Sequence, residues 1–176
     1  MQNRTLVRPA TAADIPAITA IYGHHVLHGL ATFEVEPPDT AEMTRRFATI
    51  RELGLPYLAA EINGEVAGYA YAAVYRARPA YRYTVEDSVY VLDDCAGQGI
   101  GSALMPALID GCARAGCRQL VAVIGDSDNL ASIRLHEKFG FKRVGMLPAV
   151  GFKFGRWVDS VLMQRDLADG QRTAPV

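Results

Sequence analysis

The 176-residue sequence is short of three things. It holds only three cysteines, Cys95, Cys112 and Cys117, an odd number at no metal-ligand spacing. Neither a disulfide framework nor a zinc site is expected from them. Cys112 and Cys117 fall near the end of an apolar helical pattern, where inert buried thiols belong. No run of 18 apolar residues occurs, which excludes a spanning helix, and Met1 to Leu6 lacks the apolar stretch of a signal peptide. A cytoplasmic, reduced setting is the expectation. Charge of one sign is also missing: 18 Lys and Arg face 19 Asp and Glu, a net charge of −1. That balance gives no reason to expect nucleic acid or a membrane as partner, so any basic feature must be local. Neither an internal repeat nor an interdomain linker is visible. What remains is the composition of one globular domain, half hydrophobic and 21% charged, long enough to bury about two thirds of its unfolded surface.

The chain alternates strand and helix signals in both orders. Residues 5–9 read as a strand. Thr11-Ala12-Ala13-Asp14 is a near capping box, with Asp in place of Glu. It opens a helix with apolar Ile15, Ile18, Ile21, Tyr22 and Val26 at helical spacing. A second helix starts at Asp39 or Thr40 and ends near Leu53-Gly54. Residues 57–62 and 66–74 flank Asn63-Gly64, the strongest two-residue hairpin turn. Then follow a basic aromatic loop (76–82), a strand (83–92), a helix (99–115), an apolar strand (119–124), a helix (130–139) and two closing strands (141–152 and 157–167). The expected fold is α/β with a mixed central sheet flanked by helices, one domain over residues 4–167, and 168–176 a frayed tail.

The stretch from Val89 to Leu104 carries the most information. A β-branched and aromatic run stops at Asp93 and Asp94, then Gly97, Gly99 and Gly101 alternate, and a helix begins at once. Alternating glycines let consecutive N–H groups line one concavity, because no Cβ blocks the approach or forbids positive φ. The helix start adds unsatisfied N–H groups and the positive end of its dipole. Together they form a seat for phosphate. A dinucleotide fold would place Gly-x-Gly-x-x-Gly directly at the end of a first strand. Here four residues separate strand and Gly97, and too few elements follow residues 120–125 for a second mononucleotide half.

This order of elements, with Ala96-x-x-Gly99-x-Gly101 after the central strand and Asn129-x-Ala131-x-x-x-Leu135-x-x-Lys138-x-Gly140-Phe141 later, resembles the GNAT superfamily of N-acetyltransferases, from about Leu6 to Leu167. Finer matches (residues 83–91, 122–125, 145–147 and 151–159) resemble its phosphinothricin and methionine sulfone or sulfoximine branch. The resemblance implies acetyl-CoA as acetyl donor, the α-amino group of a small amino acid with a tetrahedral phosphorus or sulfur as acceptor, and a homodimer. Ala96 departs from the family's usual Arg or Gln. His136 stands where many members place a Tyr that protonates the leaving thiolate, as it does in this branch.

Acetyl transfer needs a base for the acceptor ammonium, a polarised thioester carbonyl, a held donor and a proton for the thiolate. Glu86, in an otherwise apolar strand, matches the branch's catalytic glutamate, acting directly or through water. His136 is the candidate acid, against a packed structural His. Val89 and Val91 are expected to present backbone groups to the pantetheine arm, one N–H there an oxyanion donor, with Tyr90 between them also counted among the cofactor contacts. Gly97, Gln98, Gly99, Ile100, Gly101 and Ser102 are expected to hold the pyrophosphate. Asn129 either bonds the pantetheine or caps the next helix. For the acceptor, family correspondence favours Arg76, Arg78 and Tyr81, with Phe33 as an apolar wall and Glu86, Asp87 and Ser88 alongside; Arg suits carboxylate and phosphinate oxygens through paired hydrogen bonds. His24, His25 and His28 invite a metal reading, but no acid or Cys accompanies them in the segment, so no metal is expected. Two other functions stay open: a GNAT enzyme acting on another amine or a protein N-terminus, and a non-catalytic acyl-CoA-binding sensor, against which Glu86 and His136 argue.

Overall fold

Local chemistry accounts for most element boundaries in the computed structural model, which describes residues 5–175. Strand β1 (Leu6–Pro9) leads into a 3₁₀ turn at Ala12–Asp14 and helix α1 (Ile15–His28). Asp14 Oδ2 accepts from Thr11 N–H at 2.7 Å, closing the capping box that the sequence suggests. Helix α2 (Thr40–Glu52) is capped by the Asp39 side chain, which accepts from Glu42 N–H. Strands β2 (Tyr57–Ile62) and β3 (Glu65–Val74) form the hairpin, with Asn63 at φ 53° and Gly64 at φ 85°. Both central residues are left-handed, as the favoured two-residue hairpin turn requires.

Strand β4 (Thr84–Val91), helix α3 (Ile100–Arg114), strand β5 (Gln119–Gly125), helix α4 (Leu130–Lys138) and strands β6 (Lys142–Lys153) and β7 (Arg156–Asp166) complete a seven-stranded sheet in the order β1-β2-β3-β4-β5-β7-β6. Every neighbouring pair is antiparallel except β4 and β5. This is the mixed α/β architecture read from the sequence.

Strand alternation sorts the helices onto two faces. Gly68 and its partner Val91 lie on the face where α3 packs, since a Cβ on Gly68 would strike Ile100. Asp87 and His136 bring α4 to that same face. One residue out of phase, Tyr90 meets Tyr22 of α1 edge-on at 5.1 Å, and Tyr57 meets Phe47 of α2 at 5.0 Å. The α1 and α2 face is therefore floored by the stacked rings of Tyr57, Tyr69, Tyr71 and Tyr90. The opposite face buries Ile100, Leu104, Met105, Leu108 and Ile133. Beyond β7, the segment expected to fray is fastened: the Arg118 guanidinium donates to Thr173 Oγ1 at 3.0 Å and to Ala174 O at 3.3 Å. Arg118 and the tail are far apart in the chain, so no local signal announces this.

Candidate active site

The central feature is a wedge in the sheet. Parallel pairing of β4 with β5 covers only Thr84 to Glu86 against Gln119 to Val121, and then stops, while β4 continues to pair with β3 through Val91. From residue 87 onward one edge of β4 has lost its partner. Tyr83 O accepts from Arg118 N–H and Gln119 N–H on the β5 side, and Leu92 N–H donates to Ala67 O on the β3 side. By the alternation of an antiparallel ladder, Asp87, Val89 and Val91 turn their backbone groups into the wedge. Tyr90 does not: its backbone serves β3 and its ring is buried on the α1 side. Tyr90 is therefore corrected as a cofactor contact, since neither its main chain nor its ring is turned to the α4 side of the wedge. The carbonyl of Val91 already accepts from His25 Nε2 at 2.8 Å, which fixes that ring's proton on Nε2.

The wedge opens into a cavity of about 300 Å³ that runs from one face of the sheet to the other. Glu86, Ser88, Tyr71 and Tyr22 line it on the α1 side; Asp87, Asn129, Ser132 and His136 line it on the α4 side; Phe33 and Thr32 close its rim. Glu86 sits at the apex, half-buried, at the last paired position. Burial pushes its carboxyl pKa above the ordinary range, the neighbouring charge of Asp87 pushes the same way, and Arg76 pulls it part of the way back. A carboxylate in this setting holds a proton more readily than one in water.

Asp87 and His136 are joined rather than free. His136 Nε2 lies 2.9 Å from Asp87 Oδ2 and its Nδ1 lies 2.7 Å from Ser132 O, with both side chains almost wholly buried. Burial alone would favour a neutral ring, but the hydrogen bond to Asp87, that carboxylate's charge and the Ser132 carbonyl outweigh it, and the pKa is raised. Both ring nitrogens are engaged by acceptors, and neither is left free toward the cavity. That geometry argues against His136 as the acid for the thiolate. Asp87 keeps one oxygen uncommitted: Oδ2 is taken by His136, while Oδ1 is buried at the cavity lining with no partner among the described residues.

At the glycine-rich loop, Gly97 and Gly99 hold φ of 76° and 84°, and a Cβ at either would meet nothing within 4 Å. The backbone is bare and open where α3 begins. Gln98 is tied to Asp94 O at 3.1 Å, and Ser102 Oγ accepts from Lys138 Nζ at 3.1 Å. The Ile100 side chain is core, which leaves its N–H as the group that can face a phosphate. A Cβ on Gly101 would press Leu135 at 3.0 Å, which explains that glycine by packing. Asn129 is the cap of α4, accepting from Ser132 N–H at 3.2 Å, while also facing the cavity. Arg76, Arg78 and Tyr81 are all exposed and none of them lines the cavity; of that loop only Arg76 bears on the Glu86 carboxyl through its charge.

Tyr22, Thr32 and Tyr71 were not expected here. Tyr22 OH bonds Thr32 Oγ1 and Glu34 Oε1, each at 2.9 Å, and Arg46 donates to Glu34 at 2.7 Å. Tyr22 lies on the apolar stripe of α1, and Tyr71 alternates with Tyr69 on β3, so both read as core in the sequence. No group of three or more potential metal ligands occurs among the described residues, and no helix among them is long and apolar enough to cross a membrane.

Residues 24–141 match the model of the Acetyltransferase (GNAT) family. A phosphinothricin N-acetyltransferase of Alcaligenes faecalis is 54% identical over 169 residues, covering 96% of this chain and 86% of that protein. An L-methionine sulfoximine/L-methionine sulfone acetyltransferase of Salmonella typhimurium is 44% identical, covering 92% of this chain and 94% of its own length. Among solved structures, a GNAT superfamily phosphinothricin acetyltransferase from Sinorhizobium meliloti in complex with AcCoA superposes with a TM-score of 0.95 at 46% identity, covering 100% of this chain and 94% of that one.

Proposed function

This chain belongs to the GNAT acetyltransferase family and takes its acetyl group from acetyl-CoA, and from that premise we propose that its acceptor is the α-amino group of a small amino acid whose side chain ends in a tetrahedral phosphinate, sulfone or sulfoximine. The carrying observation is the wedge: a free β4 edge on one side, a half-buried carboxyl with a raised pKa at its apex, and a small cavity beyond. Both relatives named above act on acceptors of this shape.

The residues present fit acetyl-CoA. The bare left-handed glycines and the start of α3 offer N–H groups to phosphates. Val89 and the N–H of Val91 offer a strand edge without a β partner to the pantetheine amides, and Asn129 faces the same cavity as Val89. The thioester supplies an activated acetyl carbonyl. Glu86 takes a proton from the acceptor ammonium, directly or through one water, and the freed amine attacks that carbonyl. An N–H of the free β4 edge donates to the oxygen as its charge grows. The C–N bond forms and the C–S bond breaks. The second proton of the attacking nitrogen passes to the departing thiolate, whose parent thiol has a pKa of about 8.5, so no dedicated side-chain acid is required. Asp87 and His136 act as a bolt across the apex, joining β4 to the helix that follows β5.

Arg76, whose charge acts on Glu86, is the guanidinium we assign to the acceptor oxygens, with Arg78 and Tyr81 on the same exposed loop. Phe33 and Tyr22 supply the apolar and hydroxyl walls. The chain works as a homodimer, through the exposed apolar face of β6 and β7. Free amino acids assayed for CoA release test the acceptor: methionine sulfone, methionine sulfoximine and phosphinothricin should be acetylated far faster than methionine, because polar groups built to meet oxygens are left unpaired by a thioether. Equal specificity constants for methionine and its sulfone would overturn the tetrahedral acceptor.

A further inference from the structure

The one buried lysine of the described residues takes no part in the chemistry above. Lys153 is 3% exposed, at the end of β6, and forms no ion pair within 4 Å among the described residues. Its ammonium donates instead to two main-chain carbonyls, Gly29 O and Thr32 O, each at 2.8 Å. Burying a cation against neutral dipoles is costly, and burial pulls its pKa below the ordinary lysine value. An apolar side chain would fill the same channel at lower cost, so the ammonium calls for a reason.

The loop it holds supplies Ala31, Thr32 and Phe33 to the cavity. Three further contacts seat the same loop. Leu30 O lies against Gly125 so closely that a Cβ there would overlap it. The Phe33 ring lies against Gly151, where a Cβ would likewise overlap. The Thr32 hydroxyl bonds Tyr22 OH at 2.9 Å. Gly151 and Lys153 stand two residues apart on β6, just after the bulge between Leu147 and Gly151. The hairpin end of β6 and β7 is therefore shaped to grip this wall.

We propose that Lys153 is a positioning residue for the acceptor site, its ammonium pinning the carbonyls of Gly29 and Thr32 so that Thr32 and Phe33 present a fixed wall to the acceptor. The assignment of that wall to the acceptor rests on the function proposed above. Lys153→Met keeps the stem and removes the donors, a change that buried charges often tolerate without loss of fold. In a folded Lys153→Met protein, amide hydrogen exchange across residues 29–34 should accelerate relative to wild type. KM for methionine sulfone should rise about tenfold, with kcat and the acetyl-CoA Kd changed less than about twofold. Lys153→Gln, which keeps one N–H donor group, should lie between the two, and it replaces Lys153→Met should that variant fail to fold. Unchanged exchange in 29–34, or a rise in acetyl-CoA Kd matching the rise in acceptor KM, would overturn the proposal. If wild type fails to acetylate the sulfone, the acceptor reading falls, while the exchange measurement still decides whether Lys153 pins the loop.

Discussion

At the scale of single residues, Glu86 has the most exacting task, because it must be ionised before it can accept a proton. Its pKa is raised by burial and by Asp87, so the working form exists only above that raised value, and kcat/KM should fall as pH drops through it. Glu86→Gln should reduce turnover by about 10²–10⁴-fold with acetyl-CoA affinity little changed; an undiminished rate would move the base elsewhere. Arg76 holds the Glu86 pKa down. In Arg76→Ala the acidic limb of the kcat/KM profile should therefore move to higher pH, and KM for oxidised acceptors should rise. Arg78→Ala, on the same exposed loop but without a charge effect on Glu86, should do less on both counts. A larger effect at Arg78 than at Arg76 would show that the loop reaches the acceptor in another arrangement.

Two elements carry predictions of their own. The glycine-rich loop works through main chain in left-handed conformation, which a β-branched residue resists. Gly99 stands at φ 84°, and Gly99→Val should abolish acetyl-CoA binding in calorimetry while thermal melting still shows a folded protein. The junction of β4 with α4 rests on the Asp87 and His136 pair, whose side chains are 1% and 5% exposed. Removing one partner leaves a buried charge alone, at a cost of about 3–5 kcal/mol, so His136→Phe should lower the urea midpoint at neutral pH. The His136 pKa is raised in the fold, so the stabilisation is full below the ordinary imidazole range and is lost as pH rises through the raised value. The gap between wild type and variant should narrow with rising pH. A gap independent of pH would reduce His136 to a packing residue.

For the whole molecule, the surface of the terminal hairpin stands out. Val144, Met146, Leu147, Val150, Phe152, Phe154 and Trp157 are each 45–64% exposed, on an edge strand and its neighbour. Apolar area of this extent on an unpaired edge is a place for association. Sedimentation should show wild type as a dimer, and Phe152→Glu with Trp157→Glu should shift it to monomer without altering the melting of the isolated fold. A monomeric wild type would leave the hairpin face without its proposed partner.

Much was legible in the sequence where the cause is short-range. The cap at Asp39, the Asn63-Gly64 turn and the left-handed glycines before α3 each involve residues within a few positions of one another. Their stereochemistry needs no distant partner, and the hydrophobic period then sorts helix from strand. The family motifs lie in these same stretches. Tertiary structure alone decided which way the functional side chains are committed. Asp87 and His136 are 49 positions apart, and Lys153 and Thr32 are 121 apart. Neither partner's local pattern says that an expected acid has both nitrogens occupied, or that a lysine near a turn is buried. The divergence of β4 from β5 is likewise a property of the packed sheet. Strand propensity specifies an extended chain, but whether its edge finds a neighbour depends on where the helices and the rest of the sheet hold it.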